Sequence, residues 1–174
     1  MYIIEFVIFV LISILLLVFT VIKRSHRHRF PRFFTFESFL VLVLLNSRSW
    51  FLNPWSLRQL FSWIFLLGSC VLAFHGFRLL IIVGSPKDDF EETTKVITKG
   101  AYRYIRHPLY CTFILAEIGA FLKDPSFLGL TVFLILICFV FITAKIEEGE
   151  NIEKFGDEYR AYMDTTKMFI PFLI

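Results

Sequence analysis

The chain has 174 residues, of which 57% are hydrophobic and only 19% charged, and 23 of them are phenylalanine. A soluble domain carries nearer a quarter charged residues, so this composition excludes intrinsic disorder and argues against an ordinary water-exposed globule. The net charge of +3 is small, and the basic residues flank apolar runs instead of forming one stripe, which argues against a nucleic-acid binder.

Five apolar segments predict an all-α membrane protein with about five transmembrane helices. They cover residues 2–22, 33–45, 57–83, 108–122 and 127–143. The first segment is long enough to span a bilayer, and its basic cluster follows it, so we interpret it as a retained helix and not a cleaved signal peptide. A turn signal at residues 123–126 predicts that the last two segments form a hairpin.

The distribution of Lys and Arg predicts the orientation. Basic residues are concentrated in residues 23–32, in residues 84–107 and in the tail from Lys145, whereas the opposite side holds only Arg48, Arg58 and Lys123. The amino terminus is therefore expected outside, and the basic loops and the carboxyl terminus in the cytoplasm. We expect a single domain over residues 1–174, with three helices in 1–83 and a loop, hairpin and tail in 84–174.

The three cysteines are Cys70, Cys111 and Cys138, and each lies in an apolar stretch. The chain has no Cys-x-x-Cys pair. The pattern predicts small buried hydrophobic residues and no disulfide or metal site.

Most residues that could carry chemistry lie in residues 99–110 and in residues 145–162. His107 starts the fourth helix and Glu147 ends the fifth, so a hairpin would bring them to the same membrane surface. Pro108 suits the first turn of a helix, where its missing N–H costs nothing. The free backbone N–H groups of that turn, with Arg106 and His107, predict an anion site.

Glu147 and Glu148 predict a cation site beside that anion site, so a zwitterionic ligand with a carboxylate and an ammonium group would match both. Five tyrosines could add hydroxyl partners and stacking faces: Tyr102, Tyr104, Tyr110, Tyr159 and Tyr162. Each feature also has an ordinary interpretation. Arg103 and Arg106 could be membrane anchors, His107 a helix cap, and the two glutamates a solvated helix end.

The two stretches together resemble the isoprenylcysteine carboxyl methyltransferases and their relatives, the phospholipid N-methyltransferases. The resemblance is carried by Gly-x-Tyr-x-x-x-Arg-His-Pro-x-Tyr, a hydrophobic hairpin, Glu-Glu, Phe-Gly-x-Glu-Tyr-x-x-Tyr and a terminal Phe-x-Pro. These motifs lie at residues 100–110, 147–148, 155–162 and 169–171.

The resemblance implies an integral membrane enzyme that uses S-adenosylmethionine, bound between the hairpin and the tail and reached from the cytoplasm. By position, the cofactor would be held by Lys99, Gly100, Tyr102, Arg106, His107, Pro108, Tyr110, Glu147 and Glu148. Tyr159 and Tyr162 would shape the pocket towards the substrate. The Gly-x-Gly fingerprint of a Rossmann-type cofactor site is absent.

Four positions depart from the family pattern. Thr112 stands where relatives often have Gly, Gly149 and Asn151 interrupt a more apolar or acidic stretch, and Lys167 stands near a common Arg. We expect these departures to affect the acceptor and not the cofactor.

The acceptor is expected to be a membrane lipid or a prenylated molecule, most simply a carboxylate such as a C-terminal isoprenylcysteine. A carboxylate would need a nearby cation, for which Arg160, Lys145 and Arg106 are candidates. A phospholipid amine or another small hydrophobic nucleophile is the alternative, and an amine would need a base such as Glu148. A non-enzymatic membrane scaffold is the third possibility, and the oligomeric state stays open.

Two polar residues fall within apolar segments. His75 and Glu117 are each about eight or nine residues from the basic side, so helical rise places them at similar depth. We predict a His75–Glu117 contact that borders the acceptor path, with a purely structural hydrogen bond as the alternative.

Overall fold

The computed structural model describes residues 3–22, 27–86 and 93–173, and within them it is helical apart from one isolated bridge. The helices are α1 (Ile3–Leu17, continued by a π-helical turn at Val18–Ile22), α2 (Arg29–Leu45), α3 (Leu57–Ile82), α4 (Pro108–Phe121), α5 (Phe127–Phe155) and α6 (Asp157–Thr165). The all-α prediction is confirmed for these residues. Tyr2, Lys23, Arg24 and Lys87, which entered the predictions above, lie outside them.

Three helices in the described ranges are long and apolar enough to cross a membrane: Ile3–Ile22, Leu57–Ile82 and Phe127–Phe155. This confirms an integral membrane protein. The helix α2 has 17 residues and α4 has 14, which is about 21 Å for α4. Because a full span needs about 20 residues, the crossing of the membrane by α2 and α4 stays a prediction.

The helix α5 continues well beyond the predicted end of its apolar run. It reaches Phe155 and passes the helix end predicted at Glu147, because the Glu and Lys residues that follow favour helix. Its last turns carry the predicted acidic pair Glu147 and Glu148. The turn at residues 123–126 forms as predicted, and Ser126 caps α5 by accepting a hydrogen bond from the Gly129 N–H.

Helix packing differs from a simple hairpin. The helix α4 packs most extensively on α3, and α5 on α2, while the contact between α4 and α5 is smaller. Small residues on α3 recur every seven positions at the α4 interface. The Ser62 hydroxyl donates to the Gly119 carbonyl (2.6 Å), the Ser69 hydroxyl donates to the Thr112 carbonyl (2.9 Å), and Gly76 lies against Leu109. Small residues let the two backbones approach closely.

The predicted His75–Glu117 contact is wrong. The pairing of Ser69 with Thr112 places His75 beside the first turn of α4, and the His75 ring lies against Gly100. Glu117 lies deeper and is fully buried, and neither carboxylate oxygen has a hydrogen-bond partner among the described residues. The prediction treated the ends of α3 and α4 as level, whereas α3 extends past the start of α4.

The carboxyl-terminal tail returns to the start of α4. Ile105 and Lys167 form a parallel bridge, the Arg106 N–H donates to the Lys167 carbonyl (2.7 Å), and the His107 N–H donates to the Met168 carbonyl (3.1 Å). Met168 is buried in a cluster on α4 and α5 that comprises Tyr110, Leu136, Val140 and Ala144. The tail thereby fixes the backbone on which His107 sits.

Candidate functional site

A cavity of about 420 Å³ lies where the loop before α4 meets α2, α3, α5 and α6. This size falls within the usual range of small-molecule sites. Its wall is polar at one end and apolar at the other. The polar end is formed by His107, Glu147, Asn151 and the three tyrosines 102, 159 and 162.

His107 and two carboxylates form the centre of the polar end. The His107 Nδ1 lies 3.4 Å from Glu147 Oε2, and its Nε2 lies 3.7 Å from Glu148 Oε1. The helix α4 begins at Pro108, as predicted, and this places His107 directly before its first turn. The prediction that the two motif stretches meet is therefore confirmed by the geometry.

The pKa of His107 is raised above its usual value. Burial alone would lower it, because the charged imidazolium loses water, but the carboxylates of Glu147 and Glu148 outweigh that effect. The Nε2 atom of His107 is buried and has no hydrogen-bond partner among the described residues. The ring therefore favours its charged form, with Nε2 turned towards Glu148 at a distance longer than a hydrogen bond.

The side chain of Arg106 donates hydrogen bonds to groups within the protein. Its Nε donates to Glu148 Oε1 (2.7 Å), and one terminal nitrogen donates to the backbone carbonyls of Met163 and Thr166. Glu148 also accepts from the Lys145 ammonium (3.1 Å). Arg106 and Glu148 thus tie α5, the tail and the start of α4 together, and Glu147 is the acid that faces the cavity.

Three tyrosines close the polar end. Tyr159 and Tyr162 lie on one face of α6, and the Tyr162 hydroxyl donates to the Tyr102 carbonyl (2.6 Å). Burial raises the pKa of Tyr102, Tyr159 and Tyr162, so all three phenols stay neutral at ordinary pH. They offer the cavity aromatic faces and hydrogen-bonding groups without added charge.

The other end of the cavity is apolar and is formed by α2, α3 and α4. Phe36 of α2 and Phe113 of α4 lie with ring centroids 5.0 Å apart, and Ala73 and Phe77 of α3 line the same cavity. The helices α2 and α3 have little direct contact in the described ranges. An apolar chain could therefore occupy this end between the helices.

Eight of the predicted site residues line the cavity: Tyr102, Arg106, His107, Pro108, Tyr110, Glu147, Tyr159 and Tyr162. Six do not: Lys99, Gly100, Glu148, Glu117, His75 and Arg160. The positions of Glu148, Glu117 and His75 are described above, and Gly100, Lys99 and Arg160 lie elsewhere.

Gly100 and Lys99 lie on the exposed approach to the site. Gly100 has φ +59°, and a Cβ there would lie 2.4 Å from the His75 Nε2, so only glycine fits this turn without displacing α3 side chains. Its role in the structure is to position the loop before Tyr102.

Arg160, predicted as a cation for the acceptor, is on the wrong face of α6. With Tyr159 and Tyr162 turned inward, the helical repeat turns Arg160 towards solvent, where its side chain is 63% exposed and lies 3.8 Å from Asp157.

The four departures from the family pattern lie in different environments. Thr112 and Asn151 line the cavity, and Asn151 interacts with the Tyr159 hydroxyl. A Cβ on Gly149 would meet open space, and Lys167 contributes its backbone to the bridge with Ile105. Only Thr112 and Asn151 are therefore placed to influence a ligand.

Sequence reasoning missed Arg32. It was counted with the basic residues that follow α1, but its side chain is buried and lines the cavity. The available signal was its spacing of four from His28 and from Phe36, which places all three on one face of α2.

Comparison with known proteins shows the family of this chain. Residues 57–158, more than half of the chain, match the family model described as phospholipid methyltransferase. The chain therefore belongs to the phospholipid methyltransferase family, a family of membrane methyltransferases.

A similar protein is methanethiol S-methyltransferase 1 of Bradyrhizobium diazoefficiens, which is 34% identical over 70 residues. The matched stretch covers 40% of this chain and 24% of that protein, so the chain spans about a quarter of the length of the curated relative that it matches.

Proposed function

We propose that this protein transfers a methyl group from S-adenosylmethionine to an acceptor with an apolar tail that is held within the membrane. One observation carries the proposal: Glu147 and His107 stand together at the polar end of a cavity whose other end is apolar. Family membership supports the reaction type. The whole chain from residue 1 to 174 acts as one domain in this proposal.

The residues at the polar end fit this cofactor. Glu147 offers a carboxylate to a cationic group, and the charged His107 ring beside it suits a carboxylate. The faces of Tyr159 and Tyr162 suit both a planar ring and a positive charge. The predicted cofactor residues Tyr102, Pro108 and Tyr110 line the same wall.

When bound, S-adenosylmethionine supplies a methyl group on a positively charged sulfur. The protein's own part is to hold the acceptor in line with that methyl group and to exclude water, and alignment of two bound reactants supplies roughly 7–11 kcal/mol in favourable cases. The buried residues Tyr102, Tyr159 and Tyr162 line this end of the cavity.

The preferred acceptor is a lipidic or prenylated carboxylate. A carboxylate is already a nucleophile and needs no base. Glu148, the base predicted for an amine acceptor, is bound by Arg106 and Lys145, and this argues against that role. The apolar wall with Phe36 and Phe113 would hold the acceptor's tail.

A thiol is the second candidate acceptor, and the similarity to a protein named as a methanethiol S-methyltransferase favours it. A phospholipid amine is the third, because the matching family is described as phospholipid methyltransferase. All three share the same cofactor end of the cavity and differ in the group that meets the methyl carbon.

The orientation completes the proposal. The concentration of basic residues in the loops supports a cavity on the cytoplasmic side and an amino terminus outside. Lys123 and Arg32, which were counted on opposite sides, are both buried, so their burial leaves the asymmetry of the described basic residues in place.

The test uses the purified protein in lipid nanodiscs. Calorimetry with S-adenosylhomocysteine measures cofactor binding, and labelled methyl transfer is followed into a membrane lipid extract, prenylcysteine analogues and small thiols. Methanol release in base identifies a methyl ester, whereas S-methyl and N-methyl products are stable and are separated by chromatography. Absence of both binding and transfer would overturn the proposal.

A further inference from the structure

Asn151 is an uncharged polar side chain that α5 contributes to the cavity. It lies one helical turn after Glu147 and one turn before Phe155, and all three residues line the cavity. The face of α5 that meets the cavity therefore changes from an acid to an amide and then to an aromatic ring. We expected Asn151 to affect the acceptor, whereas the structure places it at the polar end and not in the apolar wall.

Four aromatic side chains belong to the same part of the polar end: Tyr102, Phe155, Tyr159 and Tyr162. The rings of Tyr159 and Tyr162 have centroids 5.7 Å apart, and the Tyr162 hydroxyl donates to the Tyr102 carbonyl. Because the three phenols are buried and neutral, these residues offer stacking faces without charge. A wall of this kind suits a flat, neutral, aromatic ring.

The carboxamide of Asn151 can recognise the edge of such a ring. Among the residues that the structure describes, its polar partner is the Tyr159 hydroxyl. A carboxamide has an oxygen that accepts two hydrogen bonds and a nitrogen that donates two. One hydroxyl cannot use all four, so the amide can also bind a ring edge that carries a donor beside an acceptor.

Adenine is the planar part of S-adenosylmethionine, and it carries an edge of this type. Its 6-amino group donates and its N7 accepts, and an asparagine side chain can bind both at once. Stacking on tyrosine does not distinguish one base from another, because every base has an aromatic face. The charged amino-acid part of the cofactor is matched instead by Glu147 and His107.

We propose that Asn151 binds the edge of the cofactor's adenine ring that carries the 6-amino group and N7, and that the Tyr159 hydroxyl orients its carboxamide. The inference rests on the proposed function and deepens it, because it assigns a residue that selects the base of the cofactor. Asn151 is then a specificity-determining residue. A leucine at this position would keep the approximate shape of the wall and lose recognition of the base.

The experiment compares ligands that differ only at this edge of the base, and it requires no turnover. S-inosylhomocysteine has an acceptor oxygen where S-adenosylhomocysteine has the 6-amino donor, and the 7-deaza analogue of S-adenosylhomocysteine lacks the N7 acceptor. Each is titrated by calorimetry into purified protein in lipid nanodiscs. We expect wild type to bind S-adenosylhomocysteine at least about tenfold more tightly than the inosyl ligand and about three- to tenfold more tightly than the 7-deaza ligand.

Asn151→Leu removes the carboxamide and nearly preserves the volume of the side chain. It should bind the adenosyl and inosyl ligands with affinities within about threefold of each other. The matched control is Glu153→Gln, which changes an exposed residue of α5 outside the cavity lining and should keep the wild-type preference. A wild-type preference that survives in Asn151→Leu would overturn the inference. An equal loss of both affinities would also overturn it, because that result indicates a structural role through Tyr159.

The two proposals fail in different ways. Wild-type protein that binds S-adenosylhomocysteine and transfers methyl groups, but binds the inosyl or the 7-deaza ligand equally well, overturns only the role of Asn151. Wild-type protein that binds none of the three ligands and transfers no methyl group overturns the proposed function, and the inference fails with it.

Discussion

The two ends of the helical bundle both bury charged groups, but they use them differently. At the lysine end, comprising Lys123, Gln59, Trp50 and Trp63, the fully buried ammonium has its partners within the protein. It donates to Gln59 Oε1 (2.9 Å) and to the Trp50 carbonyl (3.4 Å), and it lies 3.6 Å from the centre of the Trp63 ring. At the cavity end, comprising Arg106, His107, Glu147 and Glu148, the groups are only partly satisfied.

The two ends differ in whether their charged groups have hydrogen-bonding capacity left for a ligand. Arg106 and Glu148 neutralise each other, but His107 Nε2 has no hydrogen-bond partner in the described part of the chain, and Glu147 faces an open cavity. A buried charge whose partners all belong to the protein has no bond left for a ligand. A buried charge with an unused bond beside a cavity is available to a ligand, so the second arrangement marks the site.

Among the variants that test this comparison, Glu147→Gln is expected to have the largest effect, which is on cofactor binding. Because the carboxylate would hold a cationic group of the cofactor, its loss should weaken S-adenosylhomocysteine binding by about 10- to 100-fold, measured by calorimetry. Glu153→Gln on the same helix is the control, since Glu153 is exposed and pairs with Arg27. Equal binding by wild type and Glu147→Gln would show that the acid does not contact the cofactor.

Lys123→Met should lower stability without changing cofactor affinity, whereas Glu147→Gln should lower cofactor affinity. The Lys123→Met change leaves the Gln59 side-chain oxygen without its donor and should lower the free energy of unfolding by roughly 1–3 kcal/mol. Cofactor affinity should stay at the wild-type value, because the lysine end is remote from the cavity. A denaturation curve and a calorimetric titration of the same preparation measure both, and a stability equal to wild type would contradict the structural role.

The raised pKa of His107 predicts a loss of stability as the pH increases. A group whose pKa is raised by folding contributes its full stabilisation below its unfolded pKa, about 6.5, and loses it as the pH rises through the folded value. The difference in thermal unfolding between wild type and His107→Gln should therefore be largest near pH 6 and should shrink towards pH 9. A difference that does not change with pH would show that the ring is not charged in the folded protein.

The smallest effect is expected from Arg160→Ala. The side chain is exposed and its nearest acid, Asp157, lies on the surface, so the pair contributes little. Cofactor affinity and methyl-transfer rate should both stay within about twofold of wild type. A tenfold fall in transfer rate with unchanged cofactor affinity would return Arg160 to the acceptor site.

The local parts of the site could be predicted because they depend on neighbouring residues. Pro108 fixes the start of α4, the turn at 123–126 fixes the start of α5, and Tyr159 and Tyr162 share a face of α6 through helical periodicity. The meeting of His107 with Glu147 follows from these local facts once α4 and α5 run antiparallel.

The wrong predictions concerned the relative positions of residues that lie on different helices. The depth of His75 relative to Glu117 depends on how α3 slides along α4, and that register is set by Ser62 and Ser69. The burial of Lys123 depends on two tryptophans that lie far away in the chain.

By itself, the sequence determined the membrane class, the helical segments and the two motifs that meet at the cavity, because hydropathy, turn residues and helical periodicity act over short stretches of chain. Only the tertiary structure decided which charged side chains bind partners within the protein and which face the cavity. Arg106, Arg32 and Arg160 are the same residue type, and their different roles follow from the partners that packing brings within bonding distance.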